Sequence, residues 1–367
     1  MNLYKSKLYI FDLDYMIERL DILKELRNSS FLILGARGMI CSAIADLLFR
    51  YNEKYDAGIS LYLVGRNKDS IKERFSKYCD SKYFNVIELN NGTQGNLIHK
   101  IPHSISYIID GNGPSSPGDI NSYPCDSLHR NVEILKDLLQ YAHDNKVKST
   151  LYISSSEVYG IRDDGGSFKE DYYGYVDILN PRSSYACGKR SCENLCACYS
   201  DMQKVHTVIA RPGHIYGPSA RVDDDHIVSE LSFEAANGHD LKMHSEGLQL
   251  RSYCYMLDCA SAMLTILLFG KSGNAYNISN PSSVLSIRNM IELLAEAGEV
   301  KTIVCCGDDG HIGSEDDIIM KTSKRDNPMK NSSLNSEKLM ALGWKGYFDA
   351  RKGASHTVRI IREALMM

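Results

Sequence analysis

The chain has 367 residues, of which 43% are hydrophobic and 24% charged. That is enough apolar material for one large or two closely joined cores, and it excludes both charge-driven disorder and an apolar membrane bundle. A net charge of −4 gives no general attraction for nucleic acid or anionic lipid, so neither is expected as a partner and any phosphate has to be held by a local site.

Residues 1–28 read as a helical extension. Acidic residues run through its apolar positions, unlike a signal peptide, and nowhere does an apolar run reach the roughly 18 residues of a membrane span. Eleven cysteines, an odd number scattered over a long chain, suit reduced thiols, so the expected setting is cytoplasmic. Short apolar runs then alternate with helix-patterned stretches. The runs are FLIL at 31, ISLYLV at 59, YFNVIE at 83, ISYII at 105, STLYIS at 149 and VHTVIA at 205; the stretches include residues 39–50, 126–144 and 184–202. Such alternation predicts an α/β fold, a doubly wound parallel sheet covered by helices on both faces. After about residue 212 the rhythm breaks into loops, short helices and a terminal helix over 350–365. This predicts a smaller, mostly C-terminal α/β domain, with AYNIS at 275 returning to the sheet.

The first strand and first helix are joined by LGARGMI, which puts Gly35 and Gly38 at the turn. Glycines there let the backbone approach a pyrophosphate seated on the helix N-terminus, as in a Rossmann-type dinucleotide site; Arg37, Met39 and Ile40 belong to the same turn. Cys41 stands where a third small residue is usual. The second strand ends in Gly65-Arg66, without the acidic residue that holds the ribose hydroxyls of NAD. A guanidinium at Arg66 can grip a 2′-phosphate, which tilts the NAD(P) cofactor toward NADP without excluding NAD.

At the end of the fifth strand stands SSSEVYG, with Ser154, Ser155, Ser156 and Glu157, and thirty residues on comes PRSSYACGKR, with Tyr185 and Lys189. Residues four apart share a helix face, so Tyr185 and Lys189 address one ligand, and a neighbouring ammonium favours the phenolate that a tyrosine base needs. Cys192 and Cys196 share a helix face too, but no histidine pair accompanies them, and no metal is expected. Cys305-Cys306 likewise reads as strand packing.

From about residue 30 onward the chain resembles the extended short-chain dehydrogenase/reductase family that modifies nucleotide sugars, and within it the UDP-glucuronate decarboxylases and nucleotide-sugar 4,6-dehydratases. The resemblance implies NAD(P), a nucleotide-diphosphate sugar substrate and a homodimer built on the helices over 126–144 and 184–202. It implies a dinucleotide-binding domain over 29–212 plus about 251–280, and a substrate-binding domain over 213–250 plus 281–367. Ser155, Ser156, Glu157, Tyr185 and Lys189 fall on the family's catalytic motif, with Tyr185 and Lys189 also meeting the cofactor. ARPGHIYGP places Pro212 at the cofactor and His214 where an asparagine commonly meets substrate. GPSSP offers Ser115 and Ser116 as a substrate loop, EGLQLRSYCYMLD brings Gln249 and Arg251 toward the diphosphate, and Lys330 stands near a nucleotide-facing position. His226 occupies the place of a decarboxylase arginine, and Asp110 that of a small residue or histidine beside the cofactor. The implied activity is oxidation at the sugar's 4-position followed by decarboxylation or 4,6-dehydration. The alternatives are a 4-epimerase or 4-dehydrogenase, and a catalytically silent NAD(P)-binding regulatory protein.

Overall fold

The computed structural model describes residues 1–89, 96–113, 118, 122, 124–162, 164–304 and 329–366. All six predicted runs form strands: β1 (Ser30–Leu34), β2 (Ser60–Gly65), β3 (Phe84–Glu88), β4 (Tyr107–Asp110), β5 (Ser149–Ile153) and β6 (Thr207–Pro212). The AYNIS run becomes β10 (Asn274–Ile278), which pairs in parallel with β6. The parallel sheet has the order β10-β6-β5-β4-β1-β2-β3.

Its central strands β1, β4, β5 and β6 are buried on both sides because neighbouring residues serve opposite cores. Phe31, Ile33, Ile109, Leu151 and Val208 pack with helices α2 (Met39–Tyr55) and α8 (Met256–Phe269). Leu32, Leu34, Ile108, Tyr152 and Ile209 pack with α5 (Pro124–Asp144) and α6 (Ser184–Met202). Each such side chain contributes about 1.5–3 kcal/mol. Cys192 and Cys196 lie buried in the second cluster, while Cys305 and Cys306 fall outside the described residues. Chain direction across the sheet reverses between β1 and β4, which opens a crevice at their C-terminal ends.

Three-stranded pairing of β7 (His214–Tyr216), β9 (Leu250–Tyr255) and β11 (Val284–Ser286) builds a second, small sheet. β8 (Leu241–Met243) and β12 (Thr302–Val304) form a third. Around these pack α7 (Ile227–Ala236), α9 (Ile287–Gly298) and the terminal helix α11 (Ala350–Met366), while α3 (Lys68–Arg74), α4 (Asn96–Lys100) and α10 (Glu337–Met340) are short connectors.

The N-terminal extension contains helix α1 (Lys7–Ile17), capped by Ser6, whose Oγ accepts from the Tyr9 N–H at 3.1 Å. The extension spans the molecule between α2 and α11. Asp12, fully buried, accepts from the Tyr255 hydroxyl at 3.0 Å and meets His356 Nδ1 at 2.8 Å. Asp46 of α2, also fully buried, accepts from the hydroxyls of Tyr4 and Tyr9 and pairs with Arg74 at 2.6 Å. Among the described residues no helix is long and apolar enough to cross a membrane.

Candidate active site

At the end of β1, Gly35 has φ +72°, and a Cβ there would lie 2.3 Å from the Gly111 carbonyl oxygen that follows β4. Only glycine lets the two turns meet so closely. Gly38 is the N-cap of α2 and lends no side-chain bond to the first helical N–H groups, which leaves them as an anion cradle at the crevice. This turn fits a dinucleotide's pyrophosphate. Arg37 is exposed beside it, and Met39 and Ile40 are half-buried in the first helical turn. Cys41 is packing: its thiol donates to the Leu34 carbonyl at 3.3 Å and burial pushes its pKa up to about 12. Arg66 is exposed just past β2, and Pro212 is buried at the end of β6.

The three serines after β5 have separate partners. Ser154 donates to Glu193 Oε1 at 2.6 Å, inside a buried network in which Glu193 also takes a two-point contact from Arg211 at 2.6 and 2.9 Å. Ser155 has extended backbone and caps the 3-10 turn Ser156–Tyr159, its Oγ accepting from the Glu157 N–H at 3.2 Å. The same hydroxyl favours the ionised form of Tyr185. Ser156 opens the turn, and Glu157 projects from it to meet Arg182 at 3.1 and 3.2 Å.

Tyr185 and Lys189, near the start of α6, are both buried. Lys189 Nζ donates to the Ile153 carbonyl at 2.7 Å, 5.7 Å from the centre of the Tyr185 ring. The expectation that the ammonium would lower the phenol's pKa is not met: burial pushes Tyr185 well above its ordinary value and Glu157 adds to the rise, against Ser155 and Arg182. Desolvation outweighs the favourable charges. Burial likewise pulls Lys189 down, opposed first by the Asp110 carboxylate. Asp110, only 2% exposed, is itself raised to about 6 by burial, against its bond from the Asn112 N–H and the Lys189 charge.

Pairing of β5 with β6 sets Ala210 beside this group, since Ser154 N–H donates to the Ala210 carbonyl at 2.7 Å; Pro212 ends β6 and His214 opens β7 just beyond it. His214 is exposed at the start of β7, yet the protein surrounding it, and then the charges of Arg251 and His226, pull it below its ordinary value. His226 contacts Asp224 at 2.6 Å. Beside Arg251 lie Gln249, whose Oε1 is buried without a protein partner among the described residues, and Lys330, whose carbonyl accepts from the Leu250 N–H at 2.9 Å. Five of the predicted substrate positions thus gather around the small sheet. Ser115 and Ser116 lie outside the described residues. Arg182 and the charge relation of Asp110 to Lys189 are what the sequence reading missed. Arg182 sits in the quoted PRSSY motif, but no spacing rule links it to a glutamate 25 residues earlier.

The chain is 29% identical over 339 residues to UDP-glucuronic acid decarboxylase 3 of Arabidopsis thaliana, covering 89% of this chain and 90% of that protein. It is 28% identical over 229 residues to the dTDP-D-glucose 4,6-dehydratase of Bos taurus, covering 62% and 59%. Among solved structures, UDP-glucuronic acid 4-epimerase from Bacillus cereus, in complex with UDP-glucuronic acid and NAD, shares the fold with a TM-score of 0.71 at 20% identity, over 91% of this chain and 99% of that one. The model of the NAD dependent epimerase/dehydratase family matches residues 31–279, which run from β1 through β10 and take in the glycine turn, the SSSEVYG turn and the Tyr185–Lys189 helix. The chain belongs to that family.

Proposed function

We propose that this chain uses bound NAD(P) to oxidise the sugar of a nucleotide-diphosphate sugar at carbon 4, and that the resulting ketone then loses a carbon 6 carboxylate as carbon dioxide or a carbon 6 hydroxyl as water. The observation that carries this reading is the meeting of Ser155, Tyr185, Lys189 and Glu157 at the end of β5, in the sheet whose β1 turn fits a pyrophosphate. Gly35, Arg37, Gly38, Met39, Ile40 and Pro212 would hold the dinucleotide, which supplies a hydride acceptor when bound.

Tyr185 takes the proton of the 4-hydroxyl, and Ser155 holds that hydroxyl and the phenol in line. Lys189 meets the cofactor ribose, and its positive charge favours the tyrosinate as the proton moves. Glu157 then handles the neighbouring carbon: it abstracts the carbon 5 proton in a dehydration, or stands beside the departing carboxylate in a decarboxylation. Ser156 favours the second course, because a serine hydroxyl is a far weaker acid than the aspartate that protonates the leaving hydroxyl in dTDP-glucose dehydratases. Gln249, Arg251 and Lys330 face the diphosphate and nucleotide, with His214 and His226 toward the sugar. The curated relatives described above, a decarboxylase and a dehydratase, support both courses. Arg66 supports NADP, and α5 with α6 are the surfaces proposed for a homodimer in a cytoplasmic setting.

Mass spectrometry after incubation with UDP, dTDP, GDP and CDP sugars and uronates tests the reading. Loss of carbon dioxide or of water identifies the reaction, inversion or simple oxidation supports the 4-epimerase or 4-dehydrogenase, and no product from any substrate leaves a silent cofactor-binding protein. Tyr185→Phe should abolish turnover while cofactor stays bound.

A further inference from the structure

Arg182 has no task in the reaction as proposed. It is the second residue of the 3-10 turn Pro181–Ser183, whose geometry is fixed by the Asn180 side chain accepting from the Arg182 N–H at 3.0 Å. That turn runs straight into α6, so the guanidinium is delivered three residues ahead of Tyr185 by backbone that does not depend on the arginine side chain. Its Nη1 and Nη2 meet Glu157 Oε2 and Oε1 at 3.2 and 3.1 Å. A two-point contact fixes the plane of a carboxylate as well as its distance. With the Glu157 N–H bonded to Ser155 Oγ, the residue is held at both its backbone and its head.

Stability does not account for the pair. The Glu157 side chain is 43% exposed, and ion pairs that open to solvent are worth about 0–1 kcal/mol. The pair does decide where the carboxylate points. Its two charges also oppose each other at Tyr185: beneath the larger effect of burial, Glu157 pushes that phenol up and Arg182 pulls it down. The other groups facing Tyr185 are Ser155 and Lys189.

We infer that Arg182 is a positioning residue: it holds Glu157 in a single orientation toward the reacting sugar and cancels the glutamate's charge beside Tyr185. The function of Glu157 toward substrate rests on the reading above; the pair and its orienting effect do not. Loss of Arg182 leaves a carboxylate free to swing and an uncompensated negative charge next to the tyrosine base.

The test uses the full chain with its bound cofactor and the variants Arg182→Gln, Arg182→Lys, Glu157→Gln and the double variant Arg182→Gln/Glu157→Gln. Arg182→Gln should lose on the order of 10- to 100-fold in kcat, the scale of a misplaced reacting group, and its rising pH limb should move to higher pH. Arg182→Lys, with one contact in place of two, should recover part of both. In the Glu157→Gln background the added Arg182→Gln change should cost less than about twofold, because residues acting as one unit are not additive. An equal loss in both backgrounds, or an unmoved pH limb, overturns the inference. Crystal structures of Arg182→Gln and the wild type supply an arm that needs no turnover: Glu157 should lose its single rotamer in the variant, and a Glu157 that stays in place overturns the inference even if no substrate is ever found. Absence of turnover in the wild type would instead sink the proposed reaction and leave the structural arm to decide on Arg182.

Discussion

Ser154 donates to a buried glutamate, whereas Ser155 accepts from the Glu157 N–H and favours ionisation of the proposed base, so one hydroxyl belongs to the core and its neighbour to the site. Ser154→Ala leaves Glu193 short of a charge-assisted bond, which should cost about 1–3 kcal/mol in denaturant unfolding while turnover persists. Ser155→Ala should do the reverse, lowering kcat by about 10- to 1000-fold, as loss of a positioned donor does, with little change in melting temperature. Equal behaviour of the two variants would erase the distinction. Asp110 allows a pH test. Its folded value of about 6 lies above the ordinary carboxylate value of 3.8, so the native state binds the extra proton, and the cost of ionising a buried carboxylate sets in as pH rises through that window. Asp110→Asn keeps an oxygen for the Asn112 N–H and lacks the charge. The stability gap between variant and wild type should therefore move in the variant's favour by on the order of 2–3 kcal/mol between pH 4 and pH 7. A gap independent of pH would show that Asp110 does not titrate there.

The N-terminal extension is held by buried polar groups more than by its own helical tendency. Tyr4 and Tyr9 reach Asp46, Asp12 reaches Tyr255 and His356, and Ser6 Oγ donates to Glu363 Oε2 at 2.7 Å. These bonds tie α2, whose first turn forms the anion cradle, to the terminal helix α11. Asp46→Ala strips the half-buried Arg74 guanidinium and the hydroxyls of Tyr4 and Tyr9 of their shared carboxylate, and breaking a buried pair from one side costs up to about 3–5 kcal/mol. The measurement is a urea or guanidinium unfolding curve, and a loss below about 1 kcal/mol would mean that water or another group replaces Asp46. Deletion of residues 1–28 should lower the melting temperature of the whole chain, because the apolar faces of α2, α8 and α11 lose their cover.

At the scale of the whole molecule, a ligand that binds only the folded state stabilises it by mass action, about 2.7 kcal/mol at a hundred times its dissociation constant. Thermal-shift measurements with NAD and NADP should therefore both raise the melting temperature. The larger rise is expected with NADP, through Arg66, and Arg66→Ala should remove the difference. A larger rise with NAD in the wild type would end the preference. The answer depends on the sheet as a unit, because the turn after β1 proposed for the pyrophosphate and Arg66 after β2 are brought side by side by parallel pairing.

Much of this was legible in the residues themselves. Apolar runs and helical spacing are local properties, so the six strands, the return of β10 and the long helices follow from their own segments, as do the glycine turn and the Tyr185–Lys189 spacing on one helix face. The domain that begins after β6 was less legible, since its strands are only three to six residues long and such short pieces take their identity from partners. What only the tertiary structure decided is who meets whom. Arg182 on Glu157, Ser154 on Glu193, Asp110 beside Lys189 and the extension's tyrosines on Asp46 are long-range pairings of charged and polar groups, whose partners no periodicity encodes. The pKa of Tyr185 belongs with them: the neighbouring lysine could be read from spacing, but the desolvation that sets the direction, against Ser155 and Arg182, exists only once the sheet and α6 close around the phenol.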